Sequence, residues 1–313
     1  VQIVASLNQT LPQWPAMVLT IGRFDGIHRG HRRLIGQVVE RARRLQAAAA
    51  VLSWDPHPST VLQPDSPAAL LSDAEEKALL LAELGVDLFL RVPFDADVRQ
   101  MPAAAYLAQI GAVVPLRELW IGEDFRMGHG RSGDAAELAR IGGMLGFSVH
   151  TVGRVCADDG KIGSSEIRRL ISSGRLADAA VLLGRPFSMA GTVVHGDQRG
   201  RTIGFPTVNL QVDPALIVPG NGVYAGWAQL ADGSRVAAVT NIGTRPTFDG
   251  VSRRIEAHLL DWSGDLYGRR VRVTFVERLR EEQRFSGIDA LKAQIADDAA
   301  RARVLLQLPE ATV

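Results

Sequence analysis

His28 and His31, three residues apart, close the stretch TIGRFDGIHRGH, which runs from Thr20 to His31. An apolar run, Met17-Val18-Leu19, precedes it, and Leu34, Ile35, Val38, Val39, Ala42 and Leu45 follow at helical spacing. The expected order is strand, glycine-rich turn, helix start. Gly22, Gly26 and Gly30 permit a tight turn and let a ligand approach the backbone. The helix N-terminus offers unpaired N–H groups and partial positive charge, which suits a chain of phosphates. With two imidazoles added, the ligand that fits best is a nucleoside triphosphate. Plainer readings stay open on these residues alone. The glycines suit any strand–helix turn, and the histidines could be surface or capping groups. A metal site lacks a third ligand at zinc spacing.

A second candidate is KIGSSEIRRLISSG, Lys161 to Gly174. Ser164 and Ser165 precede a helical pattern with Ile167, Leu170 and Ile171 on one face. Serines at such a position cap helices by default. The functional alternative is that their hydroxyls, the local N–H groups and Arg168 hold the far side of a triphosphate. Two more polar loops are WDPHP (Trp54 to Pro58, with His57) and GEDFR (Gly122 to Arg126, with Asp124 and Arg126). Asp-Pro is also ordinary turn chemistry, and Arg126 or Arg131 could be solvated charge.

Different chemistry stands in HGDQRGRTIGFPTVNL, His195 to Leu210. Gly196, Gly200 and Gly204 flank a basic loop with Arg199 and Arg201, suited to folding over phosphates, though a hairpin turn explains it nearly as well. Thr207 and Asn209 alternate with Val208 and so face one side of a strand. Their hydroxyl and amide oxygens are hard donors of the kind Mg²⁺ accepts beside phosphate oxygens. In RIEAHLLDW, Glu256 and His258 likewise share a face. Glu256 could take a proton from an attacking hydroxyl, or be a solvent-facing strand residue.

The elements that must position these groups change character along the chain. Strand candidates at 17–21, 48–54, 86–92, 118–121 and 147–152 alternate with helix candidates at 30–45, 73–84, 103–110 and 134–145. That alternation argues for a doubly wound α/β domain, a parallel sheet with ligands at the carboxyl ends of its strands. All three polar loops fall at such ends. Gly184 and Pro186 end a short helix and mark a boundary, giving domains 1–184 and 185–313. Short β-type runs follow at 191–195, 207–210, 222–230, 235–241, 254–260 and 271–278, which argues for a small antiparallel β-barrel. A C-terminal helix closes the chain, with Ile288, Leu291, Ile295 and Ala299 on one face.

Taken together, the opening motif resembles the nucleotidyltransferase superfamily signature, and its FDGxHxGH form is similar to the adenylyltransferase half of bacterial bifunctional riboflavin kinase/FAD synthetases. DPHP and GEDFRxGxxRxG resemble that family's flavin- and nucleotide-contacting loops. KIGSSEIR resembles its second signature, with Gly163 where serine is usual and Ser165 where threonine is usual. GFPTVN, NIGTRPTFDG, the Glu256-Ala257-His258 strand and DLYG occur in the order seen in riboflavin kinase. The resemblance spans about Thr20 to Asp297. It implies phosphorylation of riboflavin to FMN by the second domain and adenylylation of FMN to FAD by the first. It further implies Glu256 as general base, Thr207 and Asn209 on Mg²⁺–ATP, and His28 and His31 on the triphosphate. Ligand contacts would be shared among Gly22, Phe24, Asp25, Gly26, Gly30, His57, Asp124, Arg126, Ser164, Ser165 and Arg168 in the first domain. In the second they would fall to Gly196, Arg201, Gly204, Pro206, Asn241 and Arg280. Gly163, with Arg23, leaves room for a weakened or inactive first domain, or for a flavin-binding regulator that has lost chemistry. An adenylyltransferase with another acceptor is a further rival.

Composition narrows the partners. The chain has 313 residues, 46% hydrophobic, and a net charge of +1, so no broad basic field attracts nucleic acid or anionic membrane. The expected partners are riboflavin, FMN and ATP, with room left for a weak homo-oligomer. The single cysteine, Cys156, excludes an intramolecular disulfide and is expected to be a small, partly buried apolar residue. The stretch VQIVASLNQTLPQW has no charged n-region or long apolar h-region, and no run approaches the length of a membrane helix. A cytoplasmic protein is expected.

Overall fold

A computed structural model describes residues 1–7, 14–153, 156–157, 160–196, 199–247 and 250–307. The chain divides into two compact units, Val1–Ser164 and Ser165–Val313. The first contains β1 (Gln2–Val4), β2 (Met17–Ile21), α1 (Arg29–Arg44), β3 (Ala48–Trp54), α2 (Ser59–Leu62), α3 (Ala74–Glu83) and β4 (Leu88–Val92). Next come α4 (Ala96–Gln100), α5 (Ala103–Val113), β5 (Leu116–Gly122), α6 (Ala135–Leu145), β6 (Ser148–Val152), β7 (Cys156–Ala157) and β8 (Gly160–Lys161). Six strands form one parallel sheet in the order β1-β4-β3-β2-β5-β6. All five residues of β2 are buried, as a central parallel strand requires. On one face α1 packs Leu34, Ile35 and Val38 against Val18, Val51 and Phe89. On the other, Leu107 and Ile110 of α5 and Leu138 of α6 meet Leu19, Leu52 and Leu90. Asp73, Asp95 and Asp134 each cap a helix by accepting the third backbone N–H.

Strand order reverses at β2, which is flanked by β3 and β5. A crevice is expected at that switch point, outside the carboxyl ends. The doubly wound expectation holds, with local differences that include two short helices, α2 and α4, outside the expected set. The strand expected from 86 begins at Leu88, because the Asp87 carboxylate accepts from the Ala49 amide at 2.8 Å and so ends the apolar run with a polar anchor. The edge strand β1 was not anticipated, being three residues long with two of them exposed. The Cys156 side chain lies outside the described residues.

The second unit takes in most of α7 (Ser164–Ser172), then α8 (Leu176–Leu183), β9 (Ser188–Val194), α9 (Arg199–Thr202), β10 (Val208–Val212), β11 (Gly222–Gln229), β12 (Arg235–Thr247), β13 (Gly250–Leu259), β14 (Arg270–Arg280) and α10 (Ile288–Leu305). Six strands close an antiparallel barrel in the order β10-β13-β12-β11-β14-β9. Tyr224, Ala238, Ile242, Ala257 and Phe275 are buried in it, and the alternate residues Val223, Ala225, Ala237 and Val239 pack against Ala302 and Leu306 at the end of α10. The expected buried face of α10 needs correction. Ile288 is 64% exposed, and the fully buried positions are Asp298 and Ala302. An aspartate there is tolerated because Arg280 pairs with it through both carboxylate oxygens.

Candidate active sites

The nucleotide loop leaves β2 in a conformation that sequence alone does not dictate. Phe24 and Ile27 adopt left-handed φ values of 45° and 38°, on either side of Gly26 at 75°. Such non-glycine geometry persists only when neighbours hold it. The Asp25 carboxylate accepts from the Leu71 and Ser72 amides at 2.8 and 3.3 Å, and Gly26 N–H donates to Ser72 Oγ at 3.0 Å. His28 then caps α1, its Nδ1 accepting from His31 N–H at 3.4 Å. That acceptor role leaves the proton of a neutral imidazole on Nε2. The two imidazoles stack with centroids 3.7 Å apart. Burial, reinforced by His28, Lys77 and Arg23, holds the His31 imidazole well below its ordinary pKa. Its Nδ1 is buried with no hydrogen-bond partner among the described residues. The His31 imidazole is therefore biased towards its neutral form.

A cavity of about 670 Å³ opens at the switch point. Gly22 and Arg23 after β2, Trp54 at the end of β3, Phe94 after β4, and Asp124 to Arg131 after β5 line it. Trp54 and Phe94 meet edge-on at 5.8 Å, and Trp54 Nε1 donates to Tyr106 Oη at 3.1 Å. Burial pushes the Tyr106 phenol up to about 12, so it stays neutral. Aromatic walls with Arg23, Arg99 and Arg126 at the rim suit a flat ring system carrying an anionic tail. Asp124 and Arg126 thus reach the cavity, as the loop pattern implies. His57 does not. It is buried, hydrogen-bonded to Ser59 Oγ at 2.7 Å, and lines a separate cavity of about 30 Å³ with Asp25 and Lys77. Ser164 Oγ lies 3.5 Å from the Asp25 carbonyl, while Ser165 and Arg168 follow on α7.

In the barrel, register brings the candidates together. Asn209 pairs with Glu256, Glu256 with Asn241, Asn241 with Val223, and Val223 with Arg280. Directly opposed residues of antiparallel strands point to the same face, so one row round the wall carries four of the expected residues. Arg254, two residues before Glu256, donates from Nε to Asn209 Oδ1 at 3.4 Å and lies 3.2 Å from Glu256 Oε1. Pro206 is held from the same strand, its carbonyl accepting from His258 Nδ1 at 2.8 Å. Gly196 passes so close to Asn209 that a Cβ there would fall 2.5 Å from Oδ1 and nearer still to Cγ. At Gly200 a Cβ would reach 3.3 Å from Thr207 Oγ1. Glycine at both positions therefore lets the backbone pass close against Asn209 and, at Gly200, against the Phe205 carbonyl and Thr207. That cradle and the hard-oxygen donor set fit Mg²⁺ beside a phosphate. Among the described residues no three His, Cys, Asp or Glu side chains cluster to hold a metal alone.

Three expected residues take quieter places. Arg280 is committed to Asp298, with Nε 3.0 Å from both oxygens. Arg201 on α9 and Gly204 on the turn after it are exposed. Of residues 195–210 and 241–250, positions 197–198 and 248–249 lie outside the described residues. Sequence reasoning missed Ser72 and Lys77, which hold the nucleotide loop, and Arg254. Arg254 had a readable signal, a cation on the same strand face as Glu256. Ser72 and Lys77 had none, because their partners lie some fifty residues away.

No helix among the described residues is long and apolar enough to cross a membrane. A family profile described as FAD synthetase matches residues 11–166, and one described as riboflavin kinase matches 183–306. The bifunctional riboflavin kinase/FMN adenylyltransferase of Escherichia coli K12 is 41% identical over 288 residues, covering 91% of each chain. The protein of that description from Pseudomonas fluorescens is 38% identical and covers 97% of each. A Streptococcus pneumoniae crystal structure described as a macrolide-efflux protein matches with a TM-score of 0.86 at 28% identity, covering 96% of this chain and 98% of that one. The order of the two matched profiles, FAD synthetase then riboflavin kinase, agrees with the sheet domain preceding the barrel. The chain belongs to the family of bifunctional riboflavin kinase/FMN adenylyltransferases.

Proposed function

We propose that the barrel domain transfers the γ-phosphoryl group of ATP to the 5′-hydroxyl of riboflavin, and that the sheet domain transfers AMP from a second ATP to the FMN so formed. The observation that carries the first assignment is the row of Asn209, Glu256 and Asn241 across three paired strands. Glu256 accepts the hydroxyl proton as the oxygen bonds to the γ-phosphorus and ADP departs. Arg254 orients that carboxylate. Thr207 and Asn209 would hold Mg²⁺, which when bound neutralises charge on the transferred phosphate.

In the sheet domain an FMN phosphate oxygen attacks the α-phosphorus, and the bond to the β,γ-pyrophosphate breaks. The nucleophile is already anionic, so no protein base is required. What the step demands is donors for developing charge. His28, His31 and the N-terminus of α1 supply them, and the aromatic cavity supports a place for the flavin ring. Phe24 adds a backbone N–H that has no acceptor among the described residues. Ser164 lies beside the loop carbonyl of Asp25, and Ser165 and Arg168 keep the role their sequence pattern gives them. We assign function to residues 1–184 and 185–313. ATP and flavins are cytoplasmic solutes, and the protein is placed with them.

The test is to incubate the protein with riboflavin, ATP and Mg²⁺ and separate the flavins. Wild type should yield FMN and FAD. Glu256→Gln should form FMN at least about a hundredfold more slowly yet convert supplied FMN normally. His28→Ala should accumulate FMN, with FAD formation down roughly 10²–10³-fold. Loss of both activities in either variant would refute the division of labour.

A further inference from the structure

We propose that Lys77 is a positioning residue for adenylyl transfer, holding the Arg23–Phe24 peptide so that the Phe24 N–H faces the phosphates. The inference rests on the adenylyl-transfer reading of the sheet domain. Lys77 lies on α3 and is only 9% exposed. Its Nζ donates to the Arg23 carbonyl at 3.0 Å and to Ser53 Oγ at 3.1 Å. Ser53 Oγ donates to the same carbonyl at 2.8 Å. One carbonyl oxygen thus receives two donors from beneath the loop.

The peptide that follows is trans, Asp55–Pro56 being the only cis bond among the described residues. In a trans peptide the N–H points opposite to the C=O. Anchoring the Arg23 oxygen on Lys77 therefore turns the Phe24 N–H away from the protein's interior. Phe24 is left-handed, and Gly22 and Arg23 just before it line the large cavity. Left free, this segment would relax towards a commoner backbone geometry and turn the donor away.

Why a lysine is used follows from the charge. Ser53 alone would satisfy the carbonyl, and burying an ammonium is unfavourable. A cation on the carbonyl polarises the peptide and strengthens its N–H as a donor to an anion. Burial presses the Lys77 pKa down, the facing carboxylates of Asp25 and Asp55 oppose that shift, and Arg91 adds a smaller lowering effect.

The experiment measures FAD formation from supplied FMN and FMN formation from riboflavin on the same preparations. Lys77→Met should lower kcat for adenylylation at least about 30-fold while KM for ATP stays within roughly threefold, because a donor that strengthens in the transition state is lost. Riboflavin phosphorylation should be unchanged, and Lys77→Arg, which keeps cation and donors, should recover most of the rate. Circular dichroism and thermal melting matching wild type check that the variant is folded. If Lys77→Met is not, Lys77→Gln replaces it, with an expected kcat loss of about three- to tenfold. Adenylylation by the folded variant within error of wild type overturns the proposal, as does a loss confined to KM or one that Lys77→Arg leaves untouched. Failure of the wild type to make FAD would instead refute the underlying reading.

Discussion

Replacing Gly196 by alanine tests the barrel site with a single methyl group. The added Cβ would lie 2.5 Å from Asn209 Oδ1, where ordinary contacts begin at 3.4 Å. Because the obstructed atoms are the far end of a side chain, the amide moves and the strands do not. The shift needed is about 1 Å, and misplacement of that size in a reacting constellation costs on the order of 10²-fold. That corresponds to about 2.7 kcal/mol of barrier. Stability should hardly change, since Gly196 is not in the left-handed region and removing a glycine restricts the unfolded chain by a few tenths of a kcal/mol to about 1. The assay is steady-state FMN formation, with Mg²⁺–ADP binding by calorimetry and thermal melting on the same sample. We expect phosphorylation about a hundredfold slower, weaker nucleotide binding, a melting temperature within about 2 °C, and normal FAD formation from supplied FMN. A folded Gly196→Ala protein with phosphorylation within a fewfold of normal would remove Asn209 from the phosphate site.

Acidification should weaken the sheet domain through His31. Its folded pKa lies below the unfolded value near 6.5, so between the two the unfolded chain binds more protons and stability rises with pH. The contribution is complete above about pH 6.5 and is lost as pH falls through the folded pKa. Denaturant midpoints for this domain between pH 5 and 7.5 should therefore slope less in His31→Gln than in wild type, and equal slopes would contradict the buried neutral imidazole. The serine signature offers another test. A Cβ at Gly163 meets nothing within 4 Å, so Gly163→Ser with Ser165→Thr should leave adenylylation equal or faster. Abolished FAD formation in the folded double variant would take this loop off ATP.

Where a residue's partner is local in sequence, its role could be read. His28 caps the helix that it opens and Asp134 caps α6, whereas of the expected strand pair Asn209 lies on β10 and Thr207 just before it. Where the partner is distant, spacing carried no signal. The SDAEEK segment reads as an ordinary capped helix start, yet Ser72 and Lys77 from it support the nucleotide loop. His57 sits in a motif that points to ligand, yet its Nδ1 meets Ser59 Oγ and the ring lines a small cavity apart from the large one. On α10 the apolar pattern marked one face and the fold buried the next, because Asp298 is neutralised by Arg280 on a strand whose approach no local pattern reveals.

The contrast between the halves has a structural cause. In the sheet domain the polar loops converge because parallel strands all end at one edge, a consequence of strand–helix alternation that a sequence displays openly. In the barrel, by contrast, Asn209, Glu256, Asn241 and Arg280 meet only through the register of antiparallel strands. A one-residue slip of β13 would turn Glu256 to the opposite face and bring Ile255 or Ala257 into the row. The apolar alternation that buries Ile255, Ala257 and Leu259 therefore also fixes which face the carboxylate takes. Core packing and catalytic placement are one constraint on this strand. A substitution that perturbs its inward face should accordingly reach the kinase step before it reaches the adenylyl step.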